Sequence, residues 1–261
     1  MSGSIFDKLD LERFSRQIGL LGASGQLKLA SSTVAVVGLG GLGSLAAAYL
    51  AAAGVGRLIL VDGDKVETSN LHRQVLYRTD DVGKYKAVVA AERLQAINPG
   101  VDVEPVPEVL DVNLALEIVR EADVLVDGLD NWKGRLALDA AAWSLGKTLV
   151  HGAAERLYGQ VTTIRRGESS CLACLSPTNV DAAGCTTILG PTVGVVASLQ
   201  VLETLKVLAN LGEPLYNKLL IVDLGRTAIE ILPVKPPSCD ICLGRLRNAD
   251  WIKPFYRGSQ L

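Results

Sequence analysis

The chain has 261 residues, 49% of them hydrophobic and 21% charged, which is enough to bury a large core and too apolar for a disordered polymer. A formal charge of -2 provides no overall basic field, so nucleic acid is not the default partner. Five cysteines in such a chain are read as metal ligands or reactive thiols before disulfides.

The start, "MSGSIFDKLDLERFSRQ", places charges where a signal peptide needs an apolar run, and the expected location is cytoplasmic. The stretch "TVAVVGLGGLGSLAAAYLAAAG", Thr33 to Gly54, is uncharged and long enough to span a bilayer. Its texture opposes that reading. "TVAVVG" is a β-branched run ending in glycine, whereas "LGSLAAAYLAAAG" is rich in Ala and Leu and has glycine at a C-cap position. Strand, tight turn and helix are therefore predicted, with Gly38, Gly40 and Gly43 in G-x-G-x-x-G spacing and Gly41 between them. "RLILVD" is the next buried strand and ends at Asp62. In such a βαβ unit the glycines let backbone amides approach a phosphate at the helix N-terminus, and the terminal acid reaches a ribose hydroxyl. NAD and ATP share the adenosine end that the unit holds, so the fingerprint alone does not choose between them.

"SNLHRQVLYRTDDVGKYKA" then brings Asn70, Arg73, Gln74, Lys84 and Lys86 after the ribose acid. Hydride transfer has no need of that charge; phosphoryl chemistry does, because cations offset the charge that develops on the transferring group. Taken singly, Arg73 and Lys86 read sooner as ordinary solvated surface charges. Beyond them, "VGKYKAVVAAERLQAINPG" has helical spacing, "VDVEPVP" alternates like a strand, "DVNLALEIVREA" is a capped helix and "DVLVDG" a buried strand. "NWKGRLALDAAAWSLGK" is a further helix and "TLVHGAA" a further strand. This alternation predicts an α/β fold with a doubly wound, Rossmann-like, mostly parallel sheet and ligands at the strand C-termini. Asp130 lies just past "DVLVDG", where the crevice should open, and a hard carboxylate suits magnesium; capping of the helix that begins at Asn131 or Trp132 is the competing role. Asp127 and Asp64 are lesser magnesium candidates of the same kind. His72 and His151 read as hydrogen-bonded packing residues.

After Ala154 the pattern changes to the antiparallel strands "LYGQVTTIRRG", "KLLIVDLG" and "TAIEILPV" around one long helix, "TVGVVASLQVLETLKVLANLG". The expected division is an N-terminal helical segment at 1–32, a nucleotide-binding part at 33–154, and an antiparallel, zinc-bearing part at 155–261 of the same domain. Cys171 with Cys174, and Cys239 with Cys242, form two C-x-x-C knuckles. Four thiolates meeting in the folded chain would bind zinc tetrahedrally with no open position, a structural site. Neither pair opens a helix after a strand, as a redox pair of the thioredoxin kind would.

Taken together, "RFSRQIGLLGASGQ", "VVGLGGLGS", "LVDGDKVETSNLHRQ", "VGKYKA", "DGLDN", "HGAAERLYGQVTTI", "GVVASLQVLETLKVL" and the paired C-x-x-C motifs resemble the ThiF/MoeB/HesA relatives of the ubiquitin-activating enzymes over nearly the whole chain. The resemblance implies an adenylyltransferase that uses ATP to adenylate the C-terminal glycine of a small ubiquitin-like protein ending in Gly-Gly, usually a sulfur carrier, with a separate sulfur donor as a further partner. It implies that Gly38, Gly40, Gly41, Gly43, Asp62, Asp64, Asn70, Arg73, Gln74, Lys86, Asp130 and Asn131 surround ATP, with Asp130 on magnesium. Arg16, in "FSRQI", would reach the active site of the partner subunit in a homodimer, and Arg16, Arg73, Lys86 and Asp130 would carry the catalysis. The four-cysteine zinc site is implied as well. Family members place a cysteine in the loop before the long helix; "AAGCTTILGPTVG" sets Cys185 six residues ahead of Pro191, with Ala183 in the usual place. Cys185 is thus read either as an incidental small residue or as a thiol acceptor for the activated carboxylate. Adenylation of a small or tRNA-borne carboxylate, a non-catalytic carrier-binding scaffold and an NAD-dependent oxidoreductase are the other readings.

Overall fold

Buried runs that leave no polar face fix the centre of the sheet, because a strand covered by helices on both sides must be apolar throughout. In the computed structural model, which describes residues 12–175, 187–234, 239 and 242, these runs are successive parallel strands. The elements follow in chain order as α1 (Ser15–Ser31), β1 (Thr33–Val37), α2 (Gly41–Ala53), β2 (Arg57–Val61), α3 (Lys86–Ile97), β3 (Asp102–Val106) and α4 (Val112–Glu121). Then come β4 (Val124–Asp127), α5 (Trp132–Leu145), β5 (Thr148–Glu155), β6 (Tyr158–Ile164), α6 (Gly190–Ala209), β7 (Lys218–Asp223) and β8 (Ala228–Pro233). One sheet has the order β3-β2-β1-β4-β5-β6-β7-β8, parallel from β3 to β5 and antiparallel from β5 to β8. The doubly wound, mostly parallel α/β arrangement and the antiparallel C-terminal strands are as the sequence predicts.

The apolar run from Thr33 to Gly54 folds as β1, a glycine turn and α2, with Gly54 left-handed at the C-cap. Gln17 and Gln26 both donate to the Ala53 carbonyl at that helix end, at 2.8 and 3.0 Å, which docks α1 on an otherwise unpaired acceptor. α1 itself breaks at Gly22, whose φ of 68° is left-handed. Two apolar layers cover the sheet. Val34, Val36, Leu58 and Leu60 pack with α2, α3 and α6 on one face; Ala35, Val37, Ile59 and Leu125 pack with α4 and α5 on the other. Pro105, which cannot donate to a ladder, lies in β3 at the sheet edge. α6 is long and apolar enough by composition to cross a membrane, yet it lies along β5, β6 and α2, and its buried Glu203 accepts from Thr163 Oγ1 and the Leu215 N–H, both at 2.7 Å.

The strand order reverses between β1 and β4, where α/β sheets open their ligand crevice. The chain turns leave little room there. A Cβ on Gly43 would overlap the Gly38 carbonyl oxygen, and one on Gly38 would come 2.7 Å from the Gly128 carbonyl carbon, with Gly38 already at φ 87°. Gly43→Ala is expected to cost about 2 kcal/mol or more by forcing backbone apart. Gly194→Ala, whose Cβ would meet only Leu45 Cδ1 at 4.0 Å inside α6, is expected to gain about 0.5–1 kcal/mol. Chemical denaturation of the two variants beside the parent measures both.

Candidate active site

The glycine turn is pinned from two sides. Asp62, at the end of β2, accepts the Leu39 N–H at 2.6 Å and the Asp64 N–H at 2.8 Å. Tyr77 donates its hydroxyl to the Leu39 carbonyl at 2.8 Å. Burial pushes the Asp62 carboxyl above its usual range, against the opposing pull of Lys86 and the two backbone N–H groups. Two hydrogen bonds leave a carboxylate further acceptor capacity, which is what a ribose hydroxyl needs. Asp62, Asp64 and the glycine turn border an open cleft of about 1180 Å3 at the β1–β4 switch point.

Cations and polar groups reach the cleft from the segment after β2. Lys86, the first residue of α3, is only 6% exposed and pairs with Asp64 at 3.0 Å, while the Asp64 side chain is 73% exposed. A buried ammonium therefore faces the cleft beside a movable carboxylate. Asn70 accepts the Glu67 N–H at 3.1 Å and so shapes the turn that carries Arg73, which donates to the Ser69 carbonyl at 3.0 Å. Gln74 is buried at the cleft with its Oε1 unpaired among the described residues. Arg16 lies exposed on α1 and does not line the cleft of its own chain.

The loop after β4 supplies the opposite wall. Asn131 caps α5, its Oδ1 accepting the Gly134 N–H at 2.8 Å, so the capping role considered for Asp130 belongs to its neighbour. Asp130 is exposed at the cleft. Asp127 is not a magnesium candidate: it is wholly buried, one oxygen accepting the Leu129 N–H at 3.0 Å and the other meeting His151 Nδ1 at 2.6 Å. The expectation failed because the strand carries Asp127 one residue short of the surface. Arg135 of α5, which the sequence did not single out, donates from Nε and Nη2 to the Leu129 carbonyl, at 3.0 and 2.6 Å, beneath the same loop. His151 lies inside β5 and does not end it, and is a buried packing residue bonded to Asp127.

The two knuckles meet on the α5 face of the sheet. Sγ atoms of Cys171 and Cys239 lie 3.4 Å apart, those of Cys174 and Cys242 3.7 Å apart, and all four within 4.8 Å of one another. A tetrahedral zinc with Zn–S of about 2.3 Å has sulfur edges of about 3.8 Å, so the donor set fits such an ion. Hydrogen bonding between them drives the Cys171 thiol up and the Cys242 thiol down. Asp139, a lone acid in the apolar stretch "LALDAAAW", accepts the Leu172 N–H at 2.9 Å within the first knuckle, and burial lifts its carboxyl to about 8. Cys185 lies outside the described residues.

A glycine loop at the switch point, an acid at the end of β2 and a cleft reached by Lys86 and Arg73 define a nucleotide-binding α/β protein. The chain belongs to the ThiF family, which matches residues 14–243. It is 44% identical to the sulfur carrier protein adenylyltransferase of Thermus thermophilus, over 90% of this chain and 92% of that one. It is 41% identical to the adenylyltransferase and sulfurtransferase MOCS3-1 of Zea mays, over 88% of this chain, and spans 51% of that longer protein. Among solved structures, E. coli MccB with ATP matches with a TM-score of 0.79 and 26% identity, over 93% of this chain and 77% of that one.

Burial holds the His151 proton affinity below its usual value, outweighing the attraction of Asp127. The unfolded chain takes up a proton near pH 6.5 and the folded chain resists it, so stability is lost as pH falls through that value. His151→Asn is expected to lose less stability than the parent between pH 7 and pH 5, read by urea denaturation at each pH.

Proposed function

We propose that this chain adenylates the C-terminal glycine carboxylate of a small ubiquitin-like sulfur-carrier protein ending in Gly-Gly, acting in the cytoplasm as a homodimer with ATP as donor. One observation carries the reading: amide-lined glycine turn, Asp62, Lys86, Arg73 and the exposed carboxylate of Asp130 border a single cleft that continues past Tyr158 and Gln160. The name of the Thermus thermophilus relative supports the acceptor class.

The chemistry needs placement and charge more than proton transfer. A carboxylate oxygen of the carrier attacks the α-phosphorus, the bond to the bridging oxygen breaks, and pyrophosphate leaves with that electron pair. No proton moves, so no general base is required. Lys86 and Arg73 offset the charge on the phosphates, joined by Arg16 of the partner subunit, and the glycine turn brings N–H groups to them. Asp130 would hold magnesium, which supplies further charge neutralisation when bound. The four cysteines hold zinc and tie the segment at Cys239 to the middle of the chain, outside the cleft. Sulfur then comes from a separate donor.

ATP–pyrophosphate exchange that depends on magnesium and a Gly-Gly carrier is the expected activity. Asp130→Ala should lower it about 100-fold or more with the fold intact; near-normal exchange would remove Asp130 from the metal. Arg16→Ala and Arg73→Ala should each be inactive alone. Mixed after subunit exchange, they should recover about a quarter of parent activity, since half the dimers then carry one intact site. Recovery absent despite demonstrated exchange would place Arg16 outside the partner's cleft.

Metal analysis of protein purified without added zinc should find about one zinc per chain, and a strong chelator should lower the melting temperature. A zinc content near zero in protein that still exchanges pyrophosphate would dismiss the site.

A further inference from the structure

The cleft and the four-cysteine cluster share no residue, yet one helix touches both. α5 begins beside Asp130, where Asn131 caps it, and Arg135 and Asp139 stand four residues apart on one of its faces. Arg135 grips the Leu129 carbonyl with two N–H groups, one residue ahead of Asp130. Asp139, fully buried, accepts the Leu172 N–H at 2.9 Å, between the paired ligands Cys171 and Cys174. The second oxygen of Asp139 has no hydrogen-bond partner among the described residues. A buried, half-paired carboxyl is a costly way to fill a contact that an apolar side chain would fill. What it adds is direction: an acceptor aimed at the backbone of the knuckle, at Leu172 and its neighbour Ala173.

We propose that Asp139 is a positioning residue that anchors the Cys171–Cys174 knuckle to α5, and that Arg135, one turn away, passes this anchorage to the Leu129–Asp130 loop. The two contacts are separated by about 6 Å of rigid helix, so a shift of the knuckle is delivered to the loop with little room for damping. Arg135 also meets Asp127 Oδ2 at 3.7 Å, and Asp127 receives the Leu129 N–H, so the loop is gripped at both its N–H and its carbonyl. The cysteine cluster therefore sets the position of Asp130 without entering the cleft. This inference rests on the proposed roles of the four cysteines and Asp130.

The test compares Asp139→Asn, which keeps a carbonyl acceptor for the Leu172 N–H, with Asp139→Leu, which removes it. Two affinities are read: zinc, by competition with a chromogenic chelator, and magnesium-ATP, by calorimetry without carrier. Asp139→Leu should weaken zinc about tenfold or more and magnesium-ATP roughly threefold or more, while Asp139→Asn stays within about twofold on both. Parent-like zinc affinity in Asp139→Leu overturns the anchor. Weakened zinc with unchanged magnesium-ATP overturns the link through α5. Equal losses in Asp139→Asn and Asp139→Leu show that a carbonyl acceptor at this position does not suffice and overturn the hydrogen-bond anchor. Should Asp139→Leu not fold, the smaller Asp139→Ala removes the acceptor instead. The same two affinities are then read with the same outcomes. A parent protein that binds zinc but not magnesium-ATP would refute the proposed function, a result distinct from either failure above.

Discussion

Everything at the switch point depends on backbone touching backbone. The turn after β1 and the turn after β4 approach so closely that Gly38, Gly43 and Gly128 have no space for a Cβ. The Gly128 N–H donates to the Val37 carbonyl at 2.8 Å, and the Gly38 N–H to the Val61 carbonyl at 2.8 Å, so three strand ends are stitched by their own chain. Once that contact is made, Leu39 falls between Asp62 and Tyr77, and the loop from Gly128 projects Asp130 over the glycine turn. Side chains then decorate a geometry already set by the main chain. This is why a cleft open enough for a nucleotide can have walls that hold their spacing.

The charges are arranged on the same economy of position. Lys86 is buried at the start of α3 and its backbone N–H also meets the Asp64 carbonyl, at 2.9 Å, so the ammonium is carried on a fixed stem. Its counterion is exposed and short. A buried cation with an exposed partner costs less to rearrange than a fully enclosed pair, since the carboxylate is already in water when another anion takes its place. The opposite wall uses the reverse device: Asp127 is enclosed and saturated by His151, Leu129 and Arg135, and acts as scaffolding for the exposed Asp130 next to it.

Local pattern made the glycine turn, the strand-ending Asp62, the capped α4 and the two cysteine knuckles legible, because each is written within a few consecutive residues. Asp111 does accept the Leu114 N–H at 2.8 Å, as its cap position implies. The ambiguity between Asp130 and Asn131 was a shift of one residue, too fine for periodicity and settled only by which side chain reaches Gly134. Asp127 with His151, Arg135 with Leu129, and Asp139 with Leu172 were not legible. These partners come from different elements or from a helix and the loop before it, and their pairing is decided by strand order and helix rotation. Asp139 left a faint trace all the same, since an acid amid alanines and leucines must find a donor.

The sheet order has a geometric corollary for the β6 end of the cleft. Neighbouring strands rotate by roughly 20–25° each, so three steps from β1 to β6 turn the strand direction by about 60–75°. Tyr158, Gly159 and Gln160 of β6 and Ile221 of β7, which also line the cleft, therefore sit on strands turned well away from the direction of β1. The angle between the two ends of the cleft is then a property of strand count: adding or deleting one strand between β1 and β6 would swing one end against the other by one increment.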